Sequence, residues 1–260
     1  TPERMVRHSC PSRSPGYLRM SVHIKTAMIL AAGLGTRMRP LTDTRPKPMV
    51  EVGGKALIDW VLDDLASAGV TDAVVNVHYK ADLMRDHLAG RSHPTIILSD
   101  ETALLLDTGG GVAAALPLLD DEVFLVTNSD ALWRGGLGTA LEALKHAWSD
   151  DIDALLLLAD MNRAFGFDGP GDFSLGEDGI PVRRSNQPSA PMAYAGTQLV
   201  HRRLFDNHPS GAFSFNTLWD STNKGRRLKA ILHDDDWYHV GTPEAVDPTG
   251  RALTLGKESS

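Results

Sequence analysis

Apolar positions along the chain follow two alternating patterns, and their order predicts a mixed α/β fold. Short apolar runs indicate buried strands at residues 25–30, 49–52, 73–77, 95–98, 123–127, 153–158, 193–200 and 228–232. Between them, apolar residues spaced three and four positions apart predict helices at residues 57–65, 81–88, 137–148 and from 213 onward. Strands that alternate with helices are typical of a mostly parallel sheet flanked by helices.

The two ends of the chain differ in character from this central pattern. Residues 1–21 contain several arginines, prolines and serines, show no apolar periodicity and lack the apolar core of a signal peptide. We expect them to form a disordered arm before a single domain at residues 22–260. Residues 160–220 are rich in loop residues, with a hairpin predicted around residues 177–179, and we interpret them as a subregion inserted into that domain.

Composition narrows the class of protein. The 42% hydrophobic and 23% charged content is ordinary for a soluble domain, and the net charge of −7 argues against a nucleic-acid partner. The single cysteine, Cys10, excludes an internal disulfide and a cysteine-based zinc site. No apolar run is long enough to span a membrane. We therefore expect a cytoplasmic protein with no membrane partner, either a monomer or a small homo-oligomer.

The strongest chemical signal follows the first strand. Residues 31–36, Ala-Ala-Gly-Leu-Gly-Thr, have little side-chain bulk, so their backbone N–H groups can face a ligand, and such groups suit phosphate oxygens. Pro46 and Pro48 restrict the backbone on either side of Lys47. Neither the P-loop pattern nor the G-x-G-x-x-G fingerprint is present. Positive charge is concentrated in this segment by Arg37, Arg39, Arg45 and Lys47.

These residues resemble the signature of the sugar-1-phosphate nucleotidyltransferases. Leu30–Thr42 and Pro46-Lys47-Pro48 match L-A-A-G-x-G-T-R-x-x-P-L-T followed by P-K-P, and the resemblance extends to about Ala245. Within the family the chain is most similar to uridylyltransferases acting on N-acetylmuramate 1-phosphate, and it also resembles mannose-1-phosphate guanylyltransferases. The resemblance implies a Rossmann-like sheet and the joining of a nucleoside triphosphate, preferably UTP, to a sugar 1-phosphate, with Mg²⁺ as cofactor.

The resemblance also implies roles for individual residues. Catalysis would depend on Arg37, Lys47 and Asp130. The nucleotide would contact Leu30, Ala31, Ala32, Gly33, Gly35, Thr36, Arg37, Asp107, Gly109, Gly110 and Gly111. Each of the three consecutive glycines would cost up to about 1 kcal/mol inside a helix, so we interpret them as a surface against which a flat base lies. The alternative is an ordinary helix start capped by Asp107 or Thr108.

Two residues are candidates for the metal. Asp130 follows a predicted strand, and open α/β sheets bind ligands at the carboxyl ends of their strands. The family carries a second metal-binding aspartate in the segment around Gly241-Thr242-Pro243, where this chain has His239. We expect His239 to lie beside Asp130. Imidazole is a softer ligand than Mg²⁺ prefers, so His239 would either ligate the metal, hold it through water or contact phosphate, and the metal site would be weaker than one with two aspartates.

The sugar would be held mainly by the inserted subregion. The resemblance assigns this role to Asn128, Gly171, Asp172, Tyr194, Gly196 and Thr197. Core packing is the alternative for the nearby Phe165, Phe167 and Phe173. An alternative for the whole chain is a non-catalytic, nucleotide-sugar-binding regulatory subunit, which the missing second aspartate favours and the presence of Arg37 and Lys47 opposes.

Overall fold

The computed structural model describes residues 22–176 and 178–255. The predicted arm at residues 1–21 and Glu177 in the predicted hairpin turn lie outside the described residues. The helices are α1 Leu57–Ser67, α2 Ala81–Leu88, α3 Asp107–Ala115, α4 Gly136–Ala147, α5 Phe215–Lys224 and α6 Val246–Leu255. The strands are β1 Thr26–Leu30, β2 Glu51–Val52, β3 Lys55–Ala56, β4 Asp72–Val77, β5 Thr95–Asp100, β6 Val123–Asn128, β7 Ala131–Trp133, β8 Ala154–Asp160, β9 Ala164–Phe165, β10 Phe173–Leu175, β11 Pro181–Arg183, β12 Met192–His201, β13 Leu228–His233 and β14 Trp237–His239.

The main sheet confirms the predicted α/β class. Strands β5, β4, β1 and β6 run parallel to one another, and β12 joins β6 in the antiparallel direction. Beyond β12, the sheet continues through the antiparallel β8 to β13, which runs parallel to β8. The hairpin of β10 and β11 attaches to the start of β12. The predicted hairpin is therefore present, and it extends the sheet on the side away from β5.

Helices cover both faces of this sheet, so successive side chains of β1 are buried in different apolar layers. Ala27 and Ile29 point into one apolar layer, together with α1, α2 and α4, whereas Met28 points into the other layer with α3 and α5. Gly69, with a φ of +83°, follows the end of α1, where the left-handed backbone conformation favours glycine. In the part of the chain that the structure describes, no helix has the length and apolarity needed to cross a membrane.

Most predicted boundaries lie within two residues of those observed, and three differences bear on the site. The predicted strand at residues 49–52 is shorter than expected and covers only residues 51–52. Residues 47–49 form a 3₁₀ turn instead, which follows Pro46 and contains Pro48. The predicted helix near residue 213 starts at Phe215, where the hydroxyl of Ser214 accepts a hydrogen bond from the Asn216 N–H. Helix α3 begins at Asp107, so the three glycines lie within it.

A second, small sheet brings the end of the chain back to the main sheet. Strand β14 pairs antiparallel with β7, which immediately follows the Asp130 position, and parallel with β9. In this register His239 lies opposite Ala131. The small sheet therefore positions residue 239 next to the carboxyl end of β6, where the sequence placed the candidate metal site.

Candidate active site

The loop after β1 is anchored to the sheet by a buried asparagine that the sequence analysis missed. Asn76 of β4 accepts hydrogen bonds from the N–H groups of Ala31, at 2.6 Å, and Ala32, at 3.2 Å. Its own amide donates to Glu101 Oε1 at 2.7 Å, and Glu101 Oε2 accepts from the N–H of Leu106. This chain of bonds fixes the start of the loop and links it to the segment before α3.

Gly33 and Gly35 of this loop differ in their structural surroundings. Gly35 has a φ of +63°, and a Cβ there would lie 3.0 Å from both Lys47 Cβ and Thr42 Cγ2, so only glycine fits. The Thr42 hydroxyl donates to the Gly35 carbonyl at 2.8 Å, which folds the loop back on itself. A Cβ at Gly33 would meet no atom within 4 Å, because this position faces open space.

That open space is a cavity of about 540 Å³ at the carboxyl end of β1 and β6. It brings together residues that are far apart in the sequence, including Asn128 and Asp130 after β6 and the missed Asn76 and Glu101. The predicted nucleotide and catalytic residues on its wall are Leu30, Ala31, Ala32, Gly33, Gly35, Thr36, Arg37, Lys47, Asp107 and Asp130.

Only two of the four predicted cations of this segment lie on the cavity wall. Arg37 and Lys47 line it. Arg39 instead lies 3.5 Å from Asp43, and Arg45 lies 3.7 Å from Glu51, with both arginine side chains largely in solvent. The positive charge inside the cavity is therefore smaller than the sequence suggested, and it is concentrated on two side chains.

Lys47, Asp130 and His239 form a charged group at the floor of the cavity. Lys47 Nζ is paired with Asp130 Oδ2, and His239 Nε2 lies 3.5 Å from the same oxygen. Burial alone would raise the pKa of Asp130, but Lys47 and, next, His239 hold it below its ordinary value. Burial lowers the pKa of His239 despite the nearby carboxylate, which favours a neutral imidazole with a lone pair.

The expected proximity of His239 and Asp130 is present. The pairing of β14 with β7 in the small sheet brings them together, because His239 lies opposite Ala131, the residue after Asp130. Among the described residues, no cluster of three or more His, Cys, Asp or Glu side chains suited to a metal is present.

The three consecutive glycines lie inside α3, where neighbouring protein atoms already require them, and their contact with a base stays a prediction. A Cβ on Gly109 would lie 2.5 Å from the Phe213 ring, one on Gly110 2.6 Å from the Gly211 carbonyl oxygen, and one on Gly111 2.7 Å from Glu101 Oε1. Protein atoms therefore exclude side chains here. At this point Leu105, Asp107 and Thr108 line the cavity. The alternative, a helix start capped by Asp107 or Thr108, is not observed. Leu106 precedes α3, and no side chain caps the helix.

A second cavity, of about 300 Å³, adjoins the first and shares Leu30, Thr108 and Asn128 with it. The predicted sugar residues Asn128, Asp172 and Tyr194 line this cavity. An oxygen of Asp172 accepts from the Tyr194 N–H at 2.9 Å, and burial raises the pKa of the Tyr194 phenol. The phenol thus stays protonated and can donate a hydrogen bond.

The remaining predicted sugar residues shape the backbone rather than the cavity wall. Thr197 is fully buried and its hydroxyl lies 3.0 Å from that of Thr127, so its predicted sugar contact is wrong. Gly196 has a φ of +73°, and a Cβ there would lie 2.7 Å from Asn128 Nδ2. Gly171, with a φ of +80°, packs against the carbonyl of Ala190 in the same way. Both glycines let the strand and loop approach their neighbours closely.

Several residues of the second cavity were not predicted. They are Arg183 from β11, together with Ser214, Asn216 and Trp219 from α5 and its start, and the buried Phe173 and Phe215. Core packing, the alternative considered for Phe173, is correct, although its ring also reaches the cavity. The sequence offered one signal, an arginine pair at residues 183–184 in an otherwise acidic chain.

Comparison with known proteins agrees with this geometry. The family model described as Nucleotidyl transferase matches residues 26–167. The N-acetylmuramate alpha-1-phosphate uridylyltransferase of Caulobacter vibrioides is 43% identical over 87% of this chain and 96% of its own length. The protein of the same name from Neisseria meningitidis serogroup B is 36% identical over 83% of this chain and 93% of its length. The chain therefore belongs to the nucleotidyl transferase family.

A solved structure supports the fold independently. The inositol-1-phosphate CTP transferase from T. maritima superposes with a TM-score of 0.75, covering 92% of this chain and 98% of its own. Its sequence is only 17% identical, so this likeness concerns the fold alone.

Proposed function

We propose that this enzyme transfers the uridylyl group of UTP to N-acetylmuramate 1-phosphate, giving the UDP-sugar and pyrophosphate. The observation that carries the proposal is the pair of adjoining cavities, one with a phosphate-type loop and the other with polar and aromatic side chains. Two relatives with this activity in their names cover most of the chain. The reaction would serve the recycling of cell-wall sugars in the cytoplasm.

In the proposed reaction, an oxygen of the sugar phosphate attacks the α-phosphorus of UTP. The bond between the α-phosphorus and the oxygen that bridges to the β-phosphorus breaks, and pyrophosphate leaves with that electron pair. No protein nucleophile is required, so the chain contributes positioning and charge. Arg37 and the N–H groups of residues 33–36 would hold the leaving phosphates. Lys47 would lie between the attacking and the α-phosphate, reducing the repulsion between these anions.

The residues at the cavity floor fit a divalent cation. Asp130 supplies a buried carboxylate kept ionised at neutral pH, and the neutral imidazole of His239 lies 3.5 Å from it. When bound, Mg²⁺ would neutralise charge on the phosphates, and phosphate and water oxygens would complete its coordination. Because Lys47 already pairs with Asp130, we expect the lysine to exchange this contact for phosphate oxygens when substrate is present.

Asn128, Asp172 and Tyr194 would hold the sugar. Asn128 lies on both cavity walls, so its amide is suited to contact the sugar next to its phosphate. The protonated Tyr194 phenol and the free oxygen of Asp172 would bond sugar hydroxyls.

A pyrophosphate-release screen with four nucleoside triphosphates and several sugar 1-phosphates tests the proposal. We expect the highest specificity constant for UTP with N-acetylmuramate 1-phosphate. A higher value for GTP with mannose 1-phosphate would replace the proposed substrates, and absence of turnover with every pair would favour a non-catalytic binding role.

A further inference from the structure

Arg183 is the one cationic side chain among the described residues that line the second cavity. The other charged group on this wall is Asp172, and the remaining lining side chains are apolar, hydroxylic or amide. Arg37 and Lys47, which are available for phosphate, lie on the wall of the first cavity instead. A sugar that carried only hydroxyl groups would leave Arg183 without an anionic partner from the substrate.

The guanidinium of Arg183 is held in position on several sides. Its Nε donates to Asp220 Oδ1 at 2.7 Å, and its Nη2 donates to Asn216 Oδ1 at 3.0 Å. The guanidinium carbon lies 5.3 Å from the Phe173 ring centre and 5.7 Å from that of Trp219. Its side chain is 32% exposed, and no described residue bonds Nη1. A fixed planar cation with an unused N–H group is preorganised for a carboxylate.

We propose that Arg183 recognises the carboxylate of an acidic sugar 1-phosphate. This inference rests on the proposed function, because N-acetylmuramate 1-phosphate carries a lactyl ether whose carboxylate is absent from N-acetylglucosamine 1-phosphate. Arg183 is thus a specificity residue that contacts the sugar and takes no part in the phosphate chemistry.

A purely structural role explains Arg183 less well. Its partner Asp220 has a side chain that is 61% exposed, and ion pairs this exposed to solvent typically contribute little to stability. An ion pair that only linked β11 to α5 would not need two aromatic rings and an asparagine around the guanidinium. They orient its remaining N–H groups on the wall of the cavity.

The test combines a change in the protein with a change in the substrate. Specificity constants are measured for wild type and Arg183→Gln with N-acetylmuramate 1-phosphate and with its carboxyl methyl ester. We expect esterification to lower the wild-type constant by about a hundredfold, since a charge-assisted bond is lost. In Arg183→Gln the specificity constant for the acid should fall to a similar level, and esterification should then change it by less than about tenfold, because at most one neutral hydrogen bond is lost. The KM for UTP should stay within about twofold, because Arg183 lies on the second cavity alone.

Two further results decide between recognition and structure. Asp220→Asn removes the ion pair with α5 but keeps the Arg183 cation and its hydrogen bond to Asn216, so this variant should retain most of the preference for the acid. The proposal is overturned if Asp220→Asn abolishes this preference as completely as Arg183→Gln, or if Arg183→Gln lowers acid and ester by equal factors.

The wild-type measurement also stands without any variant. Equal constants for acid and ester in the wild-type enzyme would overturn the role of Arg183 even if Arg183→Gln failed to fold. Failure of the proposed function has a different signature, namely no pyrophosphate from UTP with either sugar phosphate while another nucleotide and sugar pair is active.

Discussion

The two adjoining cavities are built in different ways. The longest continuous part of the first wall is residues 30–38, with Lys47 and Pro48 close behind in the sequence, and more distant residues such as Asn76 and Asp130 complete it. The wall of the second consists mainly of side chains from β6, β10, β11, β12 and α5, which span more than eighty residues of sequence, from Asn128 to Trp219.

This difference separates two tasks. Phosphate groups are the same in every nucleoside triphosphate, and a preset loop of N–H groups with two cations suits them all. A sugar is distinguished by its substituents, which side chains read individually. We therefore expect changes at the first cavity to lower turnover with every sugar, and changes at the second to alter which sugar is used.

The largest effect is expected for Lys47→Ala, which should lower kcat by about a hundredfold or more because a positioned charge is lost. Stability should fall as well, since Asp130 loses its buried partner. Steady-state turnover well below the melting temperature, with a thermal melt alongside, measures both effects. Arg45→Ala is the matched control, because this arginine is exposed and paired with Glu51. A kcat within threefold of wild type would contradict the role of Lys47.

Gly110→Ala tests why the glycines of α3 are there. If they only left room for a base, alanine would stabilise the helix by up to about 1 kcal/mol. Because the new Cβ would lie 2.6 Å from the Gly211 carbonyl oxygen, we expect destabilisation by about 1–3 kcal/mol instead, measured by denaturant unfolding. Gly33→Ala, whose Cβ would face open space, should unfold like wild type. An unfolding midpoint for Gly110→Ala at or above that of wild type would favour the base-contact interpretation.

Asn76→Ala tests the anchor of the phosphate loop. The N–H groups of Ala31 and Ala32 lose their acceptor, and each such bond contributes about 1 kcal/mol. We expect the KM for UTP to rise about tenfold, with the same factor for every sugar, since the loop belongs to the first cavity. Asn162→Ala, whose amide contacts Asp160 away from both cavities, is the control. A rise in the KM for UTP that occurred with only one sugar would contradict the proposed division of tasks between the two cavities.

The smallest effect is expected for His239→Asp, which adds a second carboxylate beside Asp130. Magnesium binding without nucleotide should tighten several-fold, about three to ten times, because Mg²⁺ prefers oxygen ligands. Calorimetric titration of both proteins measures this, and Asp130→Asn should weaken binding in either background. Equal affinities for wild type and His239→Asp would place His239 outside the metal shell.

The sequence alone determined the features that depend on neighbouring residues. The order of strands and helices followed from apolar periodicity, which reflects burial on a face of each element. The loop after β1 was predictable because Leu30–Arg37 form one continuous stretch. Most residues of this sequence motif also line the first cavity. Asp130 was a candidate because it follows a clear predicted strand and open α/β sheets bind ligands at the carboxyl ends of their strands, whereas Asn128 came only from the family resemblance.

Tertiary structure decided everything that depends on residues meeting across the sheet. The glycines of α3 are needed because Phe213, Gly211 and Glu101 pack closely against them, and no local sequence pattern connects these residues. Thr197 lies within a strand that the sequence predicted, yet its side chain faces Thr127 in the core rather than the second cavity. Arg183 reaches the second cavity because β10 and β11 attach to β12 beside α5. Such contacts arise from long-range packing, and the chain encodes them only through the complete fold.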